Sequence, residues 1–202
     1  MVWCIDSERS KGAPGDFGEH FLAWVRESSG IAWGPGLTDT EIHAAQVRWG
    51  LEFPPDMRLF LRVMHREAEG EARFFDWRKD DVDARIRAAI DGVLFDVEEN
   101  GHPWHDAWGE RPSTRDGMMA RLVEVSRAAK LIPLRGHRFL VGEPCAPGNP
   151  VLSIHQTDVI VYGDDLRGYM LHELFGDATS CAGGEPLLDR WRQIPFWGAF
   201  VS

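Results

Sequence analysis

The chain has 202 residues, 44% of them apolar and 11% aromatic, with 22 basic against 32 acidic side chains, for a formal net charge of −10. A chain of this length buries roughly 70% of the surface its unfolded form exposes, so one domain can fold without disulfide or metal staples. No apolar run reaches the ~18 residues that span a bilayer, the opening MVWCIDSERSKGAPGD has neither a basic leader nor an apolar secretion segment, and excess acid repels phosphate backbones and anionic lipid. These features predict a cytoplasmic protein that binds neither nucleic acid nor membrane and favours a basic partner. Cys4, Cys145 and Cys181 are far apart and odd in number, and read as reduced thiols.

After Asp16, a predicted cap, Phe17, Phe21, Trp24, Val25 and Ser28 recur at helical spacing up to the stop at Gly30. Thr38 and Glu41 form a T-x-x-E capping box for a second helix, which Gly50 ends. Pro55 suits the first turn of a third, whose apolar stripe is Met57, Phe60, Leu61 and Met64. The strongest periodic signal is Val82, Ile86, Ala89, Ile90, Val93, Leu94 and Val97, with Asp80, Asp81 and Asp83 at the end where the helix dipole favours anions. Ser113 or Thr114 opens a further helix through Met118, Leu122, Val125 and Ala128 to Lys130. The period then changes to two. Leu131–Leu134, His137–Val141, Val151–His155 and Val159–Tyr162 read as consecutive antiparallel strands, Phe74–Trp77 as an added edge strand, and Asp164 as the cap of a last helix through Leu166, Tyr169, Met170 and Leu174. Helices followed by clustered strands predict a single α+β domain, with a mainly antiparallel sheet that buries one face against several helices. Leu187, Leu188, Trp191, Ile194, Phe196, Trp197 and Phe200 make the tail, 176–202, too apolar to stay free, so it should dock.

Three segments in this order resemble the SUKH superfamily, which joins bacterial immunity proteins with the fungal regulator of cell-wall glucan assembly: LTDTEIHAAQVRWGLEFPPDMRLFL at 37–61, LIPLRGHRFLVG at 131–142 and PVLSIHQTDVIVYGDDLRGYMLHEL at 150–174. Together they cover about a third of the chain, and the last is the most specific. The resemblance implies one α+β domain, a central sheet flanked by helices, and a non-enzymatic role in which the protein neutralises a toxin by stoichiometric binding. The fungal branch implies instead an intracellular regulatory adaptor. The chain departs from compact members in a long helical middle, roughly 72–130, and in its apolar tail, so no partner surface carries over from a relative.

Chemistry-bearing groups are sparse. In HPWHD, His102, His105 and Asp106 are ligand types for zinc, but Pro103 spoils helical convergence and no fourth ligand is near; no metal or cofactor is expected. His172–Glu173 opens an H-E-x-x-H pattern that fails at Gly176, and no phosphate-cradling glycine loop or nucleophile elbow occurs. A small hydrolase would have to use His102, His105 and Asp106, or His155 and Asp158 with Tyr162, whereas such groups at strand ends ordinarily satisfy the backbone. The stretch 91–110 is more informative: Asp91, Asp96, Glu98, Glu99, Asp106 and Glu110 alternate with Trp104 and Trp108, and it holds no Lys or Arg. Glu98 and Glu99 fall at a helix carboxyl end, where an exposed acid opposes the dipole by about 0.3–1 kcal/mol. Acids that steer and aromatics that anchor predict a surface for a basic protein, which the resemblance implies is a toxin domain such as a nuclease. The competing reading places both tryptophans in the core with the acids as a solvated rim.

Overall fold

The computed structural model describes residues 10–65, 73–177 and 189–201; Cys4, Cys181, Leu187 and Leu188 lie outside them. The chain forms α1 (Glu19–Ser28), α2 (Asp39–Trp49), α3 (Pro55–Val63), α4 (Val82–Glu99) and α5 (Arg115–Ser126), then β1 (Leu131–Arg135), β2 (Arg138–Val141), β3 (Val151–His155) and β4 (Asp158–Gly163), and α6 (Leu166–Phe175). Local chemistry explains most boundaries. Thr38 and Glu41 close the capping box of α2, Gly50 ends that helix in the left-handed region at φ 61°, and Pro55 occupies the first turn of α3. Asp81 caps α4 and Thr114 caps α5 through their side-chain oxygens. Two expected caps are displaced. Gly18, not Asp16, precedes α1, and Asp165, not Asp164, accepts the Gly168 N–H at the start of α6.

The four strands form an antiparallel meander in the order β1-β2-β3-β4. Contrary to the one-faced expectation, the sheet is covered on both sides. Ile132, Leu134, Leu140 and Val151 pack in one cluster with α1, α2, α3 and α6. Leu131, Phe139, Val141, Leu152, Ile154 and Val159 pack in a second with α4, α5 and the tail. Successive strand residues point to opposite faces, so two-sided burial demands burial at consecutive positions, which β1, β2 and β3 have; their runs are apolar except at Ser153 of β3, whose hydroxyl accepts from Arg138. The long middle is thus the layer that covers the second face. Phe74–Trp77 makes no strand: Phe74 forms one antiparallel bridge to Arg135, and Phe75 N–H donates to Leu134 O at 2.7 Å. The described part of the tail docks as expected. Trp191, Trp197, Phe200 and Val201 are buried, the stretch Trp197–Phe200 forms a 3₁₀ turn, and Val201 bridges Val159 in parallel.

Two sites tie the layers together. Gly163 lets β4 abut α6, because a Cβ there would lie 2.5 Å from the Tyr169 nitrogen. Glu173 of α6 accepts from Arg135 at 2.8 Å, while Arg138 stacks over the Tyr162 ring at 3.9 Å and donates to Ser153 Oγ at 2.9 Å.

Candidate functional site

The acidic and aromatic stretch divides into residues that build the fold and residues that face solvent. Asp96 belongs to the first group. It is 6% exposed, and its carboxylate accepts from Thr157 N–H at 2.9 Å, Thr157 Oγ1 at 2.6 Å and Asn100 Nδ2 at 2.7 Å, fastening α4 to the β3–β4 turn. Burial is the largest influence on this carboxyl and pushes it up, but the Thr157 hydroxyl and N–H, Asn100 and the charge of His102 together hold it below its ordinary value. Trp108 is also core, 2% exposed, with its ring against Phe196 and Phe200 at 5.4 and 5.7 Å. Of the residues expected to bind a partner, Asp96 and Trp108 are thus the two that are buried and bonded within the fold. Glu98 is half-committed: Arg115 of α5 grips it and also reaches Asp91 at 2.6 Å, so a cation from outside 91–110 offsets two of its acids.

What remains outward lies on α4 and on the loop after it. On α4, Asp91, Phe95 and Glu99 recur every four residues and so share one face, and all three are exposed. Phe95 is 44% exposed, an aromatic ring left in water between two carboxylates. Sequence reasoning missed it, although it falls outside the Val82–Val97 apolar stripe, which was itself the signal. Beyond the helix, Trp104 stands edge-on to Trp108 at 5.2 Å, half-buried, with its Nε1 donating to Gly109 O at 2.8 Å. Asp106 and Glu110 flank that pair on the exposed loop, and among the described residues neither they nor Glu99 is ion-paired.

The groups named for hydrolase chemistry lie in two separate places. His102 Nδ1 lies 3.1 Å from Pro103 O with its ring on Phe200, and His105 Nδ1 accepts the Ala107 N–H at 3.1 Å as the cap of a short 3₁₀ turn. Among the described residues no group of three His, Cys, Asp or Glu side chains converges as metal ligands. His155 and Asp158 face each other across the two-residue turn of β3 and β4, while Tyr162, farther along β4, is sandwiched between Arg138 and His172, the latter stacked at 4.0 Å. No helix among the described residues is long and apolar enough to cross a membrane.

No family model, curated protein or solved structure matches this chain.

Proposed function

We propose that this protein acts by stoichiometric binding of a basic protein partner, in the manner that the SUKH resemblance implies for immunity proteins, with a toxin domain such as a nuclease as the occluded partner. The observation that carries the reading is Phe95, 44% exposed on a helix face between Asp91 and Glu99. A large ring at an exposed helix position gains nothing from solvent, whereas an aromatic ringed by carboxylates suits a partner that is steered by charge and anchored by burial. Glu99, Asp106 and Glu110 supply charge that is unpaired among the described residues. Occlusion then needs no proton transfer and no cofactor, because the complex itself blocks the partner's site.

The test begins with partners recovered from the native host by the tagged chain. The association rate of the recovered protein should fall as salt rises, since screening weakens long-range attraction. Phe95→Ser combined with Glu99→Gln should weaken the complex at least about tenfold, equivalent to about 1.4 kcal/mol, without lowering thermal stability. Unchanged affinity, or a rate indifferent to salt, refutes the proposed surface. Recovery of a housekeeping host protein in place of a toxin would move the role to the regulatory adaptor.

A further inference from the structure

A second feature lies beside the outward face of α4. The stretch of α4 from Arg85 to Gly92 and the turns that join β1 to β2 and β3 to β4 border a groove of about 820 Å³, within the roughly 300–1,000 Å³ range of small-molecule sites. The helix leaves this room because Ala88, Ala89 and Gly92 are its residues on that side. At Gly92 the β3–β4 turn comes so close that a Cβ would lie 3.2 Å from Gln156 Cα. Gln156 itself holds a left-handed backbone, φ 59°, which a residue with a β-carbon adopts at a cost, and it lines the groove.

The charge of the lining runs against that of the chain. With 32 acidic against 22 basic side chains overall, no Asp or Glu lines this groove, whereas Arg73, Arg85, His137 and His155 do. Arg73 is bound to Asp80 and adds little. Arg85 donates one Nη1–H to Gly136 O at 3.0 Å and makes no ion pair among the described residues. The rings of His137 and His155 meet edge to face at 6.1 Å, and neither imidazole has a hydrogen bond among the described residues. Both histidines are exposed, so their rings are within reach of a ligand in the groove. Burial, and then the charges of Arg138 and His155, push the His137 imidazole below its ordinary value, and no carboxylate opposes them. A histidine pair, a guanidinium with free N–H groups and the absence of any acid together leave the groove short of one negative group.

We infer that this groove binds the phosphate group of a small-molecule ligand. The group meets the Arg85 guanidinium from the helix, His137 from one turn and His155 from the other, and donors arriving from three sides suit a tetrahedral dianion. Each imidazole supplies one N–H when neutral and two when protonated, so the pair can adapt to the charge it receives. The organic part of a phosphate ester lies along Ala88 and Ala89.

The probe is phenyl phosphate, with phenyl sulfate as the control of equal shape and lower charge, read by ¹⁵N-resolved NMR of the main-chain N–H signals of Gly92, Gly136 and Gln156. Near neutral pH, phenyl phosphate should shift these signals saturably, as a single site. The sulfate, and phenyl phosphate on the His137→Gln, His155→Gln double variant, should bind at least about tenfold more weakly. Inorganic phosphate separates the two sources of the group: binding as tight as that of the ester assigns the groove to the free ion, and weaker binding assigns it to an ester. Both histidines are exposed, so the variant is expected to fold, and an unchanged spectrum away from the groove checks this. Signals unmoved at millimolar phenyl phosphate would overturn the inference. So would equal binding of phosphate and sulfate esters, or affinity unaltered by loss of the two imidazoles.

Discussion

Replacing Asp96 by alanine separates the two groups of acids more sharply than any other single change. The substitution removes an acceptor of three hydrogen bonds, from Thr157 N–H, Thr157 Oγ1 and Asn100 Nδ2, and strands a main-chain N–H in the β3–β4 turn. A hydrogen bond to a charged group contributes about 1.5–3 kcal/mol, but three that share one carboxylate do not add, so the expected loss is about 2–4 kcal/mol. For a chain of this size that lowers Tm by about 4–16 °C. Urea unfolding followed by tryptophan fluorescence should show a lower midpoint at unchanged slope. Glu99→Gln, three residues on and exposed, is the paired control: it removes an acid from a helix carboxyl end and should leave stability level or raise it by up to about 1 kcal/mol. The acid limb gives a second reading. Because the folded carboxyl of Asp96 lies below its unfolded value, its contribution is complete above about pH 4 and is lost as pH falls through the lower folded value. The stability gap between the parent chain and Asp96→Asn should therefore narrow only in that acid range. A loss below about 0.5 kcal/mol in Asp96→Ala would refute the argument and return Asp96 to the solvent-facing set.

Hydrogen bonding from Arg78, and then from Thr38, holds the carboxyl of Glu41 down at about 2, from an ordinary value of 4.5. Its contribution is present above about 4.5 and withdrawn as pH falls to about 2, so Glu41→Gln should flatten the Tm profile in that interval; profiles that stay parallel to the parent would count against the pairing. Gly163→Ala drives a methyl against the backbone of α6 at Tyr169, where no flexible side chain can yield, and should cost about 1–3 kcal/mol in urea unfolding. An unchanged midpoint would mean that β4 and α6 are not seated this closely.

Features set by near neighbours were legible in the amino-acid pattern. The Thr38–Glu41 box, Gly50, Pro55, Asp81 and the four strands each depend on side chains within a turn or two, so spacing alone reveals them. The cap of α6 slipped by one residue because Asp164 and Asp165 are chemically equivalent, and only the Gly168 N–H distinguishes them. Two-sided burial was written in the largely apolar runs of β1, β2 and β3, but which segment supplies the second layer depends on long-range packing. The candidate surface was half legible for the same reason. Nothing local separates Asp96 from Glu99; the partner that buries Asp96 is Thr157, 61 residues away. Arg115 is likewise 24 residues from Asp91, which is why a stretch free of basic residues folds against one. Phe95 was recoverable from helical phase alone, by asking which apolar residue fails to join the stripe.

The short pairings at the outermost strands, Phe74 and Phe75 against Leu134 and Arg135, and Val201 against Val159, govern how other chains can engage this one. One bridge at each flank occupies only part of each outermost strand, so a donated strand, whether from a visiting peptide or in self-templated fibrils, meets an obstacle at Arg135 and at Val159. Recognition is thereby shifted onto side chains carried by helices and loops, where it is selective by shape and charge.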